Sequence, residues 1–253
     1  MRRGETPLAI SLAPRLLPST PMPLVLVTGA SRGIGAAVAR AFAAKGWQVA
    51  LVARDAAALA EVAAACAEAG GGARTFVCDV TDDAAVGAMA EAVRDWAGTP
   101  DVVVNNAGLF RPGGILETTP EAFREQLEVN TVSAFLVTRA FLAGMLTRGS
   151  GRVLMMGSVA SVTGYPGGAA YGTAKHGLLG LARALRAEVL GMGVSVTTLL
   201  PGATRTGSWD GTDLPDGRFI PPEDIARVAV EVATLSGRTV VEEVLIRPDA
   251  GDI

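Results

Sequence analysis

Two residues with complementary acid–base chemistry lie four positions apart in the segment YGTAK, which runs from Tyr171 to Lys175. Positions i and i+4 share one face of a helix, so the lysine ammonium is expected beside the tyrosine phenol. A cation there favours the phenolate and lowers a pKa that is normally about 10. The same spacing is also common on ordinary helix surfaces. The pair therefore predicts a general acid–base tyrosine only where other parts of an active site accompany it.

A second chemical signal is the glycine-rich segment TGASRGIG at residues 28–35, directly after the apolar run LVLVT at residues 24–28. Gly29, Gly33 and Gly35 allow a tight turn and a close approach of the backbone to a diphosphate. A helix that begins there directs amide N–H groups and the positive end of its dipole toward the anion. A plain tight turn is the alternative, but the position between a buried strand and a helix favours a dinucleotide.

The end of the second apolar run, ALVARD, indicates which dinucleotide is bound. An acid at this point would hydrogen-bond a ribose 2′-hydroxyl and favour NAD. Arg54 occupies that point and Arg32 lies in the glycine-rich segment, so two guanidinium groups can bind a 2′-phosphate. The sequence therefore predicts NADP(H). In the alternative interpretation both arginines are solvated and Asp55 supplies the acid.

The elements that must position these groups alternate between strand and helix from residue 24 onward. Strands are expected at residues 24–28, 48–53, 74–80, 101–105, 152–158, 194–200 and 241–247. Helices are expected at residues 33–45, 55–70, from 81 or 82, 121–147, 169–190 and 222–235. This alternation predicts an α/β fold with a doubly wound, parallel, seven-stranded Rossmann-type sheet and helices on both faces, in a single domain at residues 23–253. Ligands of such sheets bind beyond the carboxyl ends of the strands, where these motifs lie.

Residues 1–22 are predicted to form a disordered extension outside the domain. Arginines open the segment MRRGETPLAISLAPRLLPSTP, but prolines interrupt any apolar core of a signal sequence and no A-x-A cleavage site follows. A presequence and a translation start at Met22 are the alternatives.

The composition of the 253 residues argues against several classes of partner. The formal charge is −3, no basic block is present and aromatic residues make up 5%, which disfavours nucleic acid. No apolar run approaches the roughly 20 residues of a membrane helix, so no membrane partner is expected. Cys66 and Cys78 lack metal-type spacing and are typical of buried thiols in a reducing compartment. We therefore expect a cytoplasmic protein without a catalytic metal.

Taken in order, these motifs resemble those of the short-chain dehydrogenase/reductase family from residue 24 to residue 248. Beyond TGASRGIG and YGTAK, the shared segments are CDV with Asp79, NNAG at residues 105–108, LEVN with Asn130, GSVAS with Ser158 and PGATRT from Pro201. Ser158 precedes Tyr171 at the family's spacing. The resemblance implies a strand order of 3-2-1-4-5-6-7 and a homo-oligomer, a tetramer or a dimer.

The resemblance also assigns roles to individual residues. Tyr171 exchanges a proton with the substrate oxygen, Lys175 assists it and holds the nicotinamide ribose, and Ser158 stabilises charge on the same oxygen. Asn130 positions a water that leads to Lys175. The residues expected to contact the cofactor are Gly29, Ser31, Arg32, Gly33, Ile34, Gly35, Arg54, Asp79, Val80, Asn106, Ala107, Gly108, Tyr171, Lys175, Pro201, Gly202, Thr204 and Thr206.

Substrate contacts are expected from the segment after Ser158 and from the loop after Pro201. The candidates are Ser158, Tyr171, Tyr165 in GYPGG and Trp209 in TGSWDGTDLPDGRF. The loop at residues 206–219, rich in Gly and Asp, is typical of a mobile lid, with an ordinary surface loop as the alternative.

The leading function hypothesis is NADP(H)-dependent hydride transfer between a nicotinamide and a ketone or secondary alcohol. The C-terminal stretch lacks the Asp-Gly-Gly turn of the commonest family members and is similar to that of sepiapterin-reductase-type bacterial enzymes. Reduction of 3-oxoacyl-carrier-protein thioesters and of pteridine side-chain ketones are therefore kept as alternatives. The non-enzymatic alternative is an NADPH-binding regulatory protein, which the complete set of Asn130, Ser158, Tyr171 and Lys175 disfavours.

Overall fold

The computed structural model of the protein describes residues 22–252. The strands are β1 Leu24–Thr28, β2 Gln48–Ala53, β3 Gly72–Val77, β4 Val102–Asn105, β5 Gly151–Met156, β6 Val194–Pro201 and β7 Glu243–Ile246. The helices are α1 Gly33–Ala43, α2 Ala56–Glu68, α3 Asp83–Ala97, α4 Pro120–Leu127, α5 Ser133–Arg148, α6 Ala169–Glu188 and α7 Pro222–Thr234. Of the extension predicted at residues 1–22, all but Met22 lies outside the described residues.

The seven strands form one parallel sheet in the order β3-β2-β1-β4-β5-β6-β7. This confirms the predicted doubly wound Rossmann-type fold. The direction of winding reverses between β1 and β4, which pair directly in the sheet. The loops that follow these two strands diverge there, and a crevice opens between them.

The strands are apolar on both faces because helices cover both faces of the sheet. In β1, Val25 and Val27 belong to a core layer with residues of α1, α2 and α7. Leu24 and Leu26 point the other way and belong to a layer with residues of α3, α5 and α6. The two layers are therefore built on alternate residues of the same strands.

Strands β3 and β5 end two or three residues earlier than predicted, which places predicted site residues in loops. β3 ends at Val77 and β5 at Met156, so Asp79 and Ser158 lie beyond the sheet rather than inside strands at 74–80 and 152–158. The Asp79 carboxylate accepts hydrogen bonds from the amide and the hydroxyl of Thr81. This local turn ends the extended conformation and leaves the chain free to border the crevice.

The helix predicted at residues 121–147 is interrupted by a π-turn at Glu128–Val132, between α4 and α5. By length and composition, the whole helical stretch Pro120–Arg148 is apolar enough to cross a bilayer, although no apolar run in the sequence had indicated this. Within the fold, Val137, Phe141 and Met145 of this stretch are buried against the sheet. Packing in the core therefore accounts for apolar residues on that face.

Candidate active site

A cleft of about 1310 Å³ opens at the carboxyl ends of the strands, beside the reversal between β1 and β4. Every predicted site residue lines this cleft except Gly35. Other lining residues, which were not among the predicted site residues, include Leu109, Phe110, Glu125, Glu128 and Asp252. Within residues 22–252, no three His, Cys, Asp or Glu side chains are grouped as a metal ion would require.

Gly35 packs α1 against the sheet instead of facing the cleft. A β-carbon there would lie 2.3 Å from the carbonyl oxygen of Gly29 and 2.5 Å from Nδ2 of Asn106. That Nδ2 donates to the carbonyl oxygens of Thr28 and Gly29 at 3.0 and 3.2 Å. Gly35 therefore allows the close approach of helix, strand and loop, and its contact with the cofactor stays a prediction.

The glycine turn leaves the start of α1 without a side-chain cap. Asp55, Asp82 and Thr119 cap the first amides of α2, α3 and α4, whereas Arg32 makes no such bond at α1. Gly33 begins α1 with a φ of +56°, a conformation that side chains disfavour. Uncapped helix amides that border a cleft are suited to binding an anion.

Charged groups near the end of β2 border the same part of the cleft. The Arg54 side chain is 79% exposed and lies 3.9 Å from Oδ2 of Asp79. Hydrogen bonds from Thr81 lower the pKa of Asp79, so this carboxylate is ionised at neutral pH. Asp55 is engaged in capping α2, where its Oδ1 accepts from Ala58 N at 3.0 Å. Arg54 is therefore an exposed cation that borders this part of the cleft beside an ionised carboxylate.

Tyr171, Lys175 and Ser158 meet in the cleft. Nζ of Lys175 lies 5.6 Å from the centre of the Tyr171 ring and donates to the carbonyl oxygen of Met156 at 2.8 Å. Ser158 caps a short 3-10 turn at Val159–Ser161, where its Oγ accepts from Ala160 N at 3.1 Å, and it lines the cleft together with Tyr171. The spacing within α6 thus brings the phenol and the ammonium together, and the loop after β5 adds the hydroxyl.

Burial dominates the acid–base properties of this pair. Desolvation raises the pKa of Tyr171 to about 12, with the Ser158 hydroxyl opposing the shift and the Tyr165 phenol adding to it. Desolvation lowers the pKa of Lys175 to about 8. The expectation of a more acidic phenol is therefore wrong for this structure, because withdrawal of the phenol from water dominates the shift. A phenol with this pKa is protonated at neutral pH and can act as a proton donor.

Asn130 is buried in the π-turn, and its side chain is bonded to the backbone. Nδ2 donates to the carbonyl oxygens of Leu109 and Gln126 at 2.8 and 2.9 Å, and Oδ1 accepts from Leu109 N at 3.2 Å. Oδ1 of Asn130 and Nζ of Lys175 both border Gly108, at 3.0 and 3.6 Å from the position of a β-carbon there. The side chain thus fixes the loop after β4 beside the lysine, and its role toward a water stays a prediction.

Aromatic rings line the cleft next to Tyr171. The Phe110 ring lies edge-on to Tyr171, with ring centres 5.0 Å apart, and 6.1 Å from the ring of Trp209. Tyr165 also lines the cleft, where its ring packs over Gly168. Tyr165 and Trp209 were candidates from the sequence, whereas Phe110 was missed. Its position just after NNAG, past the end of β4, was the available signal.

The loop that follows Phe110 is joined to the turn that carries Tyr165. Gly113 N donates to the carbonyl oxygen of Gly167 at 2.8 Å, and Gly113 forms a parallel bridge with Gly168. Two parts of the cleft lining that are far apart in the sequence are therefore connected through the backbone.

The predicted lid at residues 206–219 is closed at its base by backbone hydrogen bonds. Arg205 N donates to the carbonyl oxygen of Ile220, and Ile220 N donates to that of Ala203, both at 2.9 Å. Within the loop, the Trp209 and Phe219 rings pack with their centres 5.3 Å apart. The segment is thus a loop with a fixed base and an aromatic cluster.

The same set of motifs occurs in proteins of known family. The sequence model of the family described as short chain dehydrogenase matches residues 23–214. The chain belongs to the short-chain dehydrogenase/reductase family. This confirms the resemblance found in the sequence, and it makes the protein an oxidoreductase, since the family consists of NAD(P)-dependent enzymes that act on CH–OH and ketone groups.

Two relatives and one solved structure illustrate the range of this short-chain dehydrogenase's similarities. D-threitol dehydrogenase of Mycolicibacterium smegmatis is 36% identical over 222 residues, which are 83% of this chain and 85% of that protein. Sepiapterin reductase of Chlorobaculum tepidum is 32% identical, over 91% of this chain and 98% of that protein. The structure of an alcohol dehydrogenase from Thermococcus sibiricus, complexed with 5-hydroxy-NADP, superimposes with a TM-score of 0.84 at 32% identity, covering 90% of this chain and 97% of that one.

Proposed function

We propose that this enzyme is NADP(H)-dependent and interconverts a ketone and a secondary alcohol, with Tyr171 as the general acid and base. The observation that carries the proposal is the meeting of Tyr171, Ser158 and Lys175 in a cleft that also holds the uncapped start of α1 and Arg54. One region of this cleft is suited to a phosphorylated dinucleotide and another to proton transfer. The solved structure with 5-hydroxy-NADP supports the choice of cofactor.

The cleft residues fit such a cofactor. A β-carbon on Gly29 would lie 2.9 Å from Cα of Ala107, and one on Gly33 would lie 3.2 Å from the side chain of Thr206. The two glycines therefore leave the backbone at these positions uncovered by side chains. The first amides of α1 would hold the diphosphate, and Arg54 with Arg32 the 2′-phosphate. When bound, the nicotinamide supplies or accepts the hydride.

The protein's own residues handle the proton. During ketone reduction, the protonated Tyr171 donates its proton to the substrate oxygen as negative charge develops there. The Ser158 hydroxyl donates a hydrogen bond to the same oxygen. The phenolate left on Tyr171 is stabilised by the Lys175 ammonium, which the Met156 carbonyl holds in place. Alcohol oxidation uses the same atoms in reverse, with Tyr171 accepting the proton.

Replacing Tyr171 with Phe tests the proton donor. Tyr171→Phe removes the hydroxyl but keeps the ring that packs against Phe110, so NADPH affinity should stay within about twofold while kcat falls by about 10²- to 10⁴-fold. NADPH oxidation gives the rate, and a fluorescence titration of NADPH gives the affinity. Retained turnover would overturn the assignment of Tyr171.

Replacing Arg54 with Asp tests the choice of NADP(H). Loss of a charge-assisted contact to the 2′-phosphate should raise the Kd for NADPH by about 10- to 100-fold and leave the Kd for NADH unchanged or lower. Arg238→Asp, which changes an exposed arginine in the loop before β7, is the matched control. An Arg54→Asp enzyme that kept its preference for NADPH would contradict the proposal.

One panel of carbonyl substrates distinguishes the alternative functions from one another. NADPH oxidation is measured with simple ketones, diketones, the keto forms of polyols, acetoacetyl thioesters and sepiapterin-type pteridines. The similarity to D-threitol dehydrogenase and to sepiapterin reductase favours including the polyol and pteridine arms. NADPH binding without turnover of any carbonyl would favour the regulatory alternative.

We also propose that the enzyme is a cytoplasmic homo-oligomer, a tetramer or a dimer, that takes small-molecule carbonyl substrates. The proposal rests on the family resemblance and on two buried, unpaired cysteines among the described residues, which fit a reducing compartment. A solution mass that is a multiple of the 25.8 kDa chain would support the assembly, and a monomer would contradict it.

A further inference from the structure

The cleft lining around Phe110 is both aromatic and acidic. We call it the substrate wall and define it as Phe110, Tyr165, Trp209, Glu125 and Glu128, all of which line the cleft. Phe110 lies edge-on to Tyr171, so the wall begins where the proposed proton donor lies. Flat rings at this place provide a large apolar contact for a group attached to the reacting carbonyl.

The two carboxylates flank the segment that carries Phe110. Glu125 pairs with Arg111, the residue after Phe110, at 2.6 Å. Glu128 lies in the π-turn, two residues before Asn130, whose side chain bonds the residue before Phe110. Glu128 is exposed and forms no salt bridge within residues 22–252. Both residues therefore line the same cleft as Phe110 and Tyr171.

The basic residues of the cleft lie elsewhere. Arg32 and Arg54 follow β1 and β2, at the proposed cofactor end. Lys175 is 5% exposed and is bonded to the Met156 carbonyl. Arg111 does not line the cleft and is paired with Glu125. In the part of the chain that the structure describes, Glu128 is thus the carboxylate of the substrate wall that no salt bridge balances.

Resting on the proposed function, we propose that the substrate is an uncharged or cationic ketone that carries a flat apolar group, and that carboxylated, sulfonated and phosphorylated carbonyl compounds are disfavoured. The unpaired carboxylate of Glu128 repels an anion, and because this side chain is exposed the repulsion is greatest at low ionic strength. A flat group can pack on Phe110 and Trp209. A cationic substituent gains from the carboxylates and from the ring faces.

The charge preference is tested with three acetophenones that differ only in the para substituent: trimethylammonium, carboxamide or carboxylate. The measured quantity is kcat/KM for NADPH-dependent reduction at low and at high ionic strength. At low salt, we expect kcat/KM for the carboxylate to be at least about 5-fold lower than for the carboxamide. For the ammonium compound, we expect kcat/KM to be at least as high as for the carboxamide. These differences should shrink at high salt.

Glu128→Gln separates the charge of the wall from the intrinsic reactivity of the ketones. The variant keeps the size of the side chain, so the carboxylate-to-carboxamide ratio of kcat/KM should rise by about 3-fold or more. Glu188→Gln, which changes an exposed carboxylate at the far end of α6, is the matched control and should leave the ratio unchanged.

Phe110→Leu tests the aromatic part of the wall. The variant should raise the Michaelis constant for acetophenone by about 5-fold while changing the constant for butanone by less than about twofold. Phe110 contacts Tyr171, so its replacement can also lower the activity with every ketone. Such a general loss affects acetophenone and butanone alike and cancels when the two ketones are compared on the same variant.

Two results would overturn the substrate class and leave the proposed function intact. One is equal kcat/KM for the carboxylate and the carboxamide, and the other is a ratio that Glu128→Gln does not change. Absence of turnover with every carbonyl in this series and in the wider panel would instead overturn the proposed function as well.

Discussion

The ammonium of Lys175 is a charge held almost out of contact with water. The residue is 5% exposed, and its Nζ donates to the carbonyl oxygen of Met156. Burial penalises the charged form and lowers the pKa of Lys175 to about 8, from an ordinary value of 10.5. The charge that we propose assists Tyr171 is therefore lost under mildly alkaline conditions in which an exposed lysine stays protonated.

This lowered pKa makes the stability of the protein depend on pH in a defined window. Between pH 8 and 10.5 the unfolded chain binds more protons at Lys175 than the folded chain, so the free energy of unfolding rises with pH. Relative to Lys175→Met, the wild-type protein should gain up to about 3 kcal/mol across this window. Urea unfolding at a series of pH values measures the difference.

Below pH 8 the difference between the two proteins should be constant. The raised pKa of Tyr171 acts at higher pH and is present in both proteins, so it cancels in the comparison. A difference in unfolding free energy that did not change between pH 8 and 10.5 would show that Lys175 is not desolvated.

Residue types could be predicted from the sequence more reliably than their environments. Tyr171 and Lys175 were found from spacing, and Arg54 from its place at the end of a strand. The direction of the Tyr171 pKa shift was wrong, because desolvation depends on contacts that other segments make. Phe110 was missed for a related reason: an aromatic residue in a loop has no periodic pattern that shows which ring it will contact.

At the scale of elements, the π-turn between α4 and α5 is the feature that sequence periodicity could not indicate. Residues 121–147 have the pattern of one continuous helix, and one extra residue in a turn hardly changes that pattern. In the structure, Glu128–Val132 forms a π-turn at this point. It buries Asn130, whose side chain forms hydrogen bonds with the backbone of Leu109 and Gln126. The interruption coincides with the site, as π-turns within helices frequently do.

The packing of α1 against the sheet depends on Gly35. Gly35→Ala would place a β-carbon 2.3 Å from the carbonyl oxygen of Gly29, which is backbone and cannot move aside. We expect a loss of about 3 kcal/mol in the free energy of unfolding and weaker NADPH binding, since the glycine turn would shift.

Gly180→Ala is the matched control for this substitution. Gly180 lies inside α6, where a β-carbon would meet nothing within 4 Å. The same chemical change should therefore stabilise the protein by about 0.5–1 kcal/mol through helix propensity. Equal effects at the two positions, measured by urea unfolding, would rule out a special role for Gly35.

At the scale of the whole molecule, each central strand serves both core layers. Val25 and Val27 face one layer and Leu24 and Leu26 the other, so neither layer can unfold while the other keeps its strands. We expect a single cooperative transition, in which tryptophan fluorescence and far-UV circular dichroism give the same urea midpoint. Two separated midpoints would contradict the prediction of one domain at residues 23–253.

The overall fold was the most predictable level of organisation. Continuous apolar runs such as residues 24–28 alternate with helical segments that have glycine or an acidic residue at an end, and these local signals agree with one another along the whole chain. Exact strand ends were less predictable, because β3 and β5 stop where Asp79 and Gly157 form local or cross-strand hydrogen bonds. Those bonds depend on neighbouring segments, which no local pattern describes.

The backbone bridge between Gly113 and Gly168 affects how substrate can enter the cleft and how product can leave it. The bridge connects the segment that carries Phe110 to the turn that carries Tyr165, so we expect these two sides of the cleft to move together. The loop at residues 206–219 is hydrogen-bonded across its base near Ile220, and farther along Arg218 donates to the carbonyl oxygen of Asp252. We therefore expect substrate to enter and product to leave past Trp209, through opening of this loop rather than through movement of the connected sides of the cleft.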